Sequence, residues 1–198
     1  MRGMRIASVV LAVGCLALAP SGRAQNLLAN PDFDLTPVGN GWTATGNGAI
    51  THDLGFGQPA PSVLLDCDTG ESAVLSQCTP VSDSEIYDIQ ARSFTGIANG
   101  DSFNEVRVRW FAVEGCANEI DSLVVSDALY PPGEMSIRFA HGISPPVGAQ
   151  SASVELGVYA NTSTSEQVWF DAIYLPEPGE NGLAAVAIGA IALRRRRS

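Results

Sequence analysis

The strongest constraint on the fold of this 198-residue chain is an alternation of apolar and polar residues with a period of two. In segment 105–112, Val106, Val108 and Trp110 occupy every second position. Neighbouring residues of an extended strand point to opposite sides of a sheet, so this pattern predicts strands with one buried face. Further strand candidates are segments 72–77, 85–94, 151–160 and 167–175.

The residues between these candidates favour an all-β domain. Gly, Pro, Asn and Ser bound the alternating runs, and no sustained helical period occurs between residues 25 and 175. About nine short strands in one domain of this size indicate two antiparallel sheets packed as a sandwich. We therefore predict a β-sandwich over 25–175, with a signal helix before it and a short hydrophobic helix after it.

The first 24 residues have the features of a signal peptide. Two arginines lie within the first five positions, segment 6–19 is apolar, and small residues precede a cleavage point after Ala24. Lipid attachment at Cys15 is an alternative reading of the same leader. In both cases the sequence predicts export.

The charge of the central segment excludes two classes of partner. Residues 25–180 contain four arginines and no lysine, against all 21 acidic residues of the chain, which leaves a formal charge of −17. Such a negative field repels nucleic acid and anionic lipid. Neither is predicted to be a partner.

The C-terminal tail, residues 176–198, combines a short apolar run with a basic end. As a helix, segment 182–193 would span about 18 Å, against a hydrocarbon core of about 30 Å. It is too short for a permanent span but long enough for transient insertion, with the arginines on the cytoplasmic side. A frayed terminus or a core helix with a basic cap is the alternative.

This tail resembles the PEP-CTERM sorting signal of Gram-negative bacteria. The resemblance implies processing by an exosortase-type protease, transient retention in the inner membrane, and delivery to the cell envelope or extracellular matrix. The residues that carry it are Pro176, Glu177 and Pro178, followed by the apolar run and by Arg194, Arg195, Arg196 and Arg197.

Both ends of the central domain carry a second resemblance. The opening "NLLANPDFD" (26–34) and the closing "VWFDAIYL" (168–175) resemble the end segments of galactose-binding-like jelly rolls, which include several families of carbohydrate-binding modules. The resemblance implies a jelly-roll sandwich whose first and last strands lie side by side. Because this fold hosts many roles, carbohydrate binding is an expectation that needs a site.

The jelly-roll resemblance also implies a structural calcium between the two ends of the domain. Asp34 and Asp171 occupy the acidic positions of the opening and closing segments. Ca²⁺ takes six to eight oxygen ligands from carboxylates and carbonyls. The alternative is two solvated acids at strand ends.

Ligand binding is predicted on the polar side of segment 105–112. Carbohydrate recognition needs exposed aromatic rings beside hydrogen-bonding groups. Arg107, Arg109 and Phe111 share that side, and Tyr159 is a candidate neighbour. The alternative is a set of ordinary ion pairs between arginines and surface acids.

The three tryptophans are expected in the core. Trp42, Trp110 and Trp169 each lie in a predicted strand context, where a large ring is more often packed in the hydrophobic core than exposed.

The cysteines predict one disulfide and one free thiol. Cys15 lies in the predicted signal peptide, so the exported domain contains Cys67, Cys78 and Cys116. In related jelly rolls the cysteines that match Cys78 and Cys116 pair across adjacent strands, so the resemblance implies that pair. A bond between Cys67 and Cys78 is the alternative.

No set of catalytic residues is recognisable. His52 and His141 lack the spacing of metal-site motifs, and Ser102 in "GDSF" is predicted to be a turn residue. We therefore predict a non-enzymatic, carbohydrate-binding domain at the cell surface or in an extracellular matrix. The alternatives are a purely structural or adhesive envelope protein, and a small glycan hydrolase with paired carboxylates.

Overall fold

The computed structural model describes residues 25–35, 40–55, 61–97, 103–126, 133–161 and 165–176. The predicted signal peptide, the tail beyond Pro176 and Ser102 lie outside these residues, so the expectations for them remain predictions. In the part of the chain that is described, no helix is long and apolar enough to cross a membrane.

Within these described ranges, ten strands form two antiparallel sheets of five, which confirms the predicted all-β sandwich. The first sheet has the order β1-β4-β9-β6-β7, and the second has the order β2-β3-β10-β5-β8. The strands are β1 (Thr43–Gly46), β2 (Ala49–Asp53), β3 (Ser62–Cys67), β4 (Ser72–Pro80), β5 (Tyr87–Ile97), β6 (Phe103–Val113), β7 (Ala117–Ser126), β8 (Glu134–Ile143), β9 (Ser151–Tyr159) and β10 (Glu166–Tyr174).

The core lies between the two sheets and is built from the alternating positions of the strands. In β6 the side chains of Val106, Val108 and Trp110 are buried, as the sequence pattern predicts. Val154 and Leu156 of β9 lie in the same core cluster. The intervening residues of both strands therefore point away from the core, onto the outer face of the first sheet.

The two ends of the described chain meet beside the last strand. The Leu27 amide donates to the Leu175 carbonyl over 2.8 Å, and the Ile173 amide donates to the Pro31 carbonyl over 2.9 Å. Asn26 also donates from Nδ2 to the carbonyl of Ile173 over 2.7 Å. The first and last segments of the domain are therefore side by side.

A buried polar cluster links the two sheets. Arg138 of β8 donates to the carbonyl of Asn104 on β6 over 3.4 Å, and it also contacts the Asn104 side-chain oxygen. Asn104 Nδ2 in turn donates to Glu166 Oε1 over 2.8 Å. Buried charges require partners of this kind, because an uncompensated charge in the core is strongly destabilising.

The disulfide joins Cys78 to Cys116, the pair that the jelly-roll resemblance implied, and Cys67 is a buried free thiol. The bond does not connect adjacent strands. Cys78 lies on β4 and Cys116 in the turn after β6, while β9 runs between those two strands. Ser151 of β9 holds the turn, since its hydroxyl accepts from the Cys116 amide over 3.0 Å.

Candidate functional site

The pairing of β6 with β9 brings a row of polar side chains together on the outer face of the first sheet. Arg107 lies opposite Glu155 in the register of the two strands. Glu105 lies opposite Gly157, and Phe103 lies opposite Tyr159 at the end of the row. The alternation of each strand places these residues on the side away from the core.

Ion pairs hold the arginines of this row in place. Arg107 pairs with the buried Glu105 at 2.9 Å, and Arg109 pairs with Glu155 at 3.1 Å. Arg109 also pairs with Glu119 of β7. The hydrogen bonds that Arg109 donates to Glu119 and Glu155 raise the pKa of Arg109, and the bond from Arg109 lowers the pKa of Glu119. The row is therefore a network of ion pairs.

Two aromatic rings end the row. Phe103 and Tyr159 are stacked, with ring centroids 4.7 Å apart and an interplanar angle of 19°. The Tyr159 ring lies directly over Gly157. A Cβ added at that glycine would be only 2.7 Å from Cε2 of the ring. Burial, followed by the charge of Glu105, raises the pKa of Tyr159. The hydroxyl therefore stays protonated and can donate a hydrogen bond at neutral pH.

The four predicted ligand-binding residues follow the outer face of the first sheet. Arg107 and Arg109 lie between Tyr159 at one end and Phe111 at the other. Phe111 is only 8% exposed, and the Arg109 guanidinium lies 5.9 Å from its ring centroid. Phe103, rather than Phe111, is the aromatic neighbour of Tyr159, because the antiparallel register runs from Phe103 at one end to Phe111 at the other.

The acidic members of this site were missed by the sequence reasoning. Glu105 and Glu155 sit at alternate positions on the same side as the predicted arginines, and that spacing was the available signal. Their pairing with particular arginines depends on strand register, which the sequence does not show directly.

The tryptophans divide between core and surface. Trp42 and Trp110 are buried at 3% exposure, as expected. Trp169 departs from the expectation, because Val168 and Phe170 take the inward positions of β10 and leave Trp169 half-buried on the outer face of the second sheet.

The predicted calcium ligands lie at the end of the domain where the first and last segments meet. Asp34 is exposed, whereas Asp171 is buried in β10. Asp32 lies near Asp34, since burial and the charge of Asp34 raise the pKa of Asp32 while Arg92 lowers it. These carboxylates and the adjacent backbone carbonyls are hard oxygen donors of the kind that Ca²⁺ prefers. Within the described ranges, however, no three His, Cys, Asp or Glu side chains are grouped for a metal.

Comparisons with known proteins bear on the fold. No protein-family model matches this chain, and no curated protein matches it in sequence. Among solved structures, it is similar to the enzymatically active domain of bacteriophage CBA120 tailspike protein 4, with a TM-score of 0.56 and 15% identity over 76% of this chain. The chain spans 21% of the length of that protein.

Two further similar structures are carbohydrate-binding modules. One is the C-terminal family 22 carbohydrate binding module of Clostridium thermocellum Xyn10B, with a TM-score of 0.51 and 14% identity over 75% of this chain and 92% of that one. The other is a carbohydrate-binding module of the β-sandwich superfamily, with a TM-score of 0.53 and 9% identity over 69% of this chain and 57% of that one. This domain shares the β-sandwich fold of these three structures. At these identities the likeness establishes the fold, and it confirms the predicted jelly roll.

Proposed function

We propose that this protein is an exported, non-catalytic, carbohydrate-binding domain of the cell surface or an extracellular matrix. The glycan would bind on the outer face of the first sheet. The observation that carries the proposal is the stacked pair Phe103–Tyr159 beside the ion-paired row of Arg107, Glu105 and Glu155. Binding sites of this kind combine aromatic surface with a few fixed polar groups.

The chemistry of the row suits sugar hydroxyls. A hydroxyl both donates and accepts hydrogen bonds, so it can use the guanidinium of Arg107 as donor and the carboxylate of Glu155 as acceptor. Charge-assisted hydrogen bonds of this type are stronger than neutral ones. Because the ion pairs already fix these side chains, little conformational entropy remains to be lost on binding.

The same ion pairs argue for binding rather than hydrolysis. A glycosidase needs one carboxyl group that stays protonated to act as general acid. Glu119 and Glu155 both accept from Arg109, and Glu105 accepts from Arg107, so each carboxylate is held by an arginine. The bond from Arg109 lowers the pKa of Glu119, the opposite of what a general acid needs. The row therefore supports a non-catalytic role.

The proposed localisation of the protein is inferred from its sequence. The leader, together with the Pro176-Glu177-Pro178 motif and terminal arginines, supports export and exosortase processing, with transient insertion of the tail in the inner membrane. A calcium held near Asp34 and Asp171 would stabilise the fold at the junction of the two ends, away from the glycan.

Affinity electrophoresis tests this function. Residues 25–176 would be run in native gels that contain soluble xylan, galactan, β-glucan or alginate, and a bound polysaccharide retards migration. We expect retardation by at least one of them, and weaker retardation in Tyr159→Ala. The control Val147→Ala changes a side chain that is 95% exposed in a loop and should behave as the unmodified domain. Unretarded migration in every polysaccharide would favour the structural or adhesive alternative.

A further inference from the structure

The outer face of the second sheet carries its own aromatic side chain. Trp169 lies on β10, the central strand of that sheet, opposite Leu64 of β3 and Phe94 of β5. This face is on the other side of the sandwich from the row of Arg107 and Glu155. Nothing in the proposed function uses it.

Contacts at both ends of the indole hold the Trp169 ring down against the sheet. Its Nε1 donates to Asp53 Oδ2 on β2 over 2.8 Å. At the other end, a Cβ at Gly96 of β5 would lie 2.3 Å from Cζ3, so the ring occupies space that only a glycine leaves open. Phe94 meets the indole edge-on, with centroids 5.8 Å apart. The ring therefore lies along the sheet and is half-buried, so part of it remains exposed to solvent.

Hydrogen-bonding groups flank the ring on the same face. Gln167 donates from Nε2 to Asp66 Oδ2 over 3.1 Å, one alternate position from Trp169 on β10. The Asp53 carboxylate is fixed beside the indole, since its Oδ1 accepts from the Gly55 amide over 2.9 Å. Arg92 lies farther along this face, opposite Asp171, so the charges that border the ring are the carboxylates of Asp53 and Asp66. They favour a neutral ligand over an anionic one.

Two further apolar side chains lie on β8, the edge strand of this sheet. Ile137 and Phe139 are 47% and 59% exposed, and they lie opposite Arg92 and Gln90 of β5 in the strand register. The neighbours of the Trp169 ring itself are Leu64 and Phe94.

From this arrangement we propose that Trp169 is a second carbohydrate platform, which stacks on the apolar face of an uncharged pyranose ring. Asp53, Asp66 and Gln167 would bind its hydroxyl groups. The Trp169 platform stands independently of the proposed function. If both sites bind, the domain is bivalent and can join two glycan chains, one on each side of the sandwich.

Chemical modification of tryptophan in the full chain tests this platform without a substitution. Because Trp42 and Trp110 are buried, N-bromosuccinimide should oxidise Trp169 first, and peptide mass spectrometry identifies the site. The probes are neutral hexasaccharides of β-1,4-linked glucose, xylose and galactose, with oligogalacturonate as the anionic comparison. We expect at least one neutral hexasaccharide at millimolar concentration to slow Trp169 oxidation, and no protection by oligogalacturonate.

Variants separate the two faces. Gly96→Ala should lift the ring off the sheet and weaken the protecting hexasaccharide about tenfold, the scale of one lost aromatic contact. Trp169→Phe keeps an aromatic ring beside Phe94 on the outer face and checks that the fold survives. Tyr159→Ala should leave the protection of Trp169 unchanged, even if it abolishes binding on the first sheet.

Two results would overturn the platform. One is oxidation of Trp169 at the same rate with and without every neutral hexasaccharide. The other is protection that disappears in Tyr159→Ala, which would assign all binding to the first sheet. Failure of the first-sheet site alone appears differently, as retardation in polysaccharide gels that Tyr159→Ala does not change.

Discussion

Removal of the Cys78–Cys116 disulfide gives the most quantitative test of the fold. The bond closes a separation of 38 residues that contains β5 and β6, one strand from each sheet. Without it the unfolded chain regains the entropy of that loop, which corresponds to about 4 kcal/mol at 25 °C in the chain-entropy treatment. We therefore expect the double variant Cys78→Ala, Cys116→Ala to be less stable by about that amount.

Urea unfolding followed by tryptophan fluorescence measures the difference. The unmodified protein in reductant should match the double variant, and the double variant should not respond to reductant. Cys67 is buried, so it should resist alkylation in the folded protein and react once urea unfolds it. The control Cys67→Ala should retain its response to reductant, because it leaves the bond intact.

A decrease of less than about 1 kcal/mol in the free energy of unfolding of the double variant would refute this prediction, since the loop would then be ordered without the bond. Peptide mapping that links Cys67 to Cys78 would refute the pairing itself.

Three further predictions concern metal, tail and pH. Calcium should raise the melting temperature and chelator should lower it. At a hundredfold excess of calcium over its dissociation constant, the free energy of unfolding should increase by about 2.7 kcal/mol. Calorimetry of Asp34→Asn and Asp171→Ala should show no such difference, and an unmodified protein that does not respond to chelator would rule the site out. Deleting Glu177 to Ser198 should preserve a cooperative melt, because no described strand extends beyond residue 174; loss of cooperativity would make the tail part of the fold. Burial, with nearby carboxylates, raises the pKa of Cys67 from 9.0 to about 12. Since the folded state then holds this proton more tightly than the unfolded state, the thiol's contribution to stability is complete below pH 9 and falls toward pH 12, by up to about 1.4 kcal/mol per pH unit. Urea titrations at pH 8 and 10.5 should show a smaller loss in Cys67→Ala, and equal losses would contradict the assignment.

Alternation predicted five of the described strands, β4, β5, β6, β9 and β10, and missed β1, β2, β3, β7 and β8. Segments 105–112 and 151–160 correspond closely to β6 and β9, because every second residue of each is buried. Strand β8 was not predicted because its polar side chain faces the core and its apolar side chains face solvent. Arg138 points inward to the buried cluster with Asn104, while Phe139 points to solvent. A buried arginine satisfied by a distant strand has no local sequence signal.

The candidate site was predicted in part for a related reason. Arg107, Arg109 and Tyr159 could be placed on strand faces from their own segments. Which aromatic ring accompanies Tyr159 depends on how β6 and β9 are aligned, and that alignment puts Phe103 beside it and Phe111 at the far end. The surface position of Trp169 likewise follows from which alternate set of β10 fills the core.

Glycan binding on the outer face of the first sheet is the central claim, and NMR mapping tests it most directly. Residues 25–176, labelled with ¹⁵N, would be titrated with an oligosaccharide of whichever polysaccharide retards the domain. We predict that the amide signals of Glu105, Arg107, Glu155 and Tyr159 shift with a common dissociation constant, and that Tyr159→Ala removes these shifts. A glycan that binds while these four signals stay in place would contradict the account.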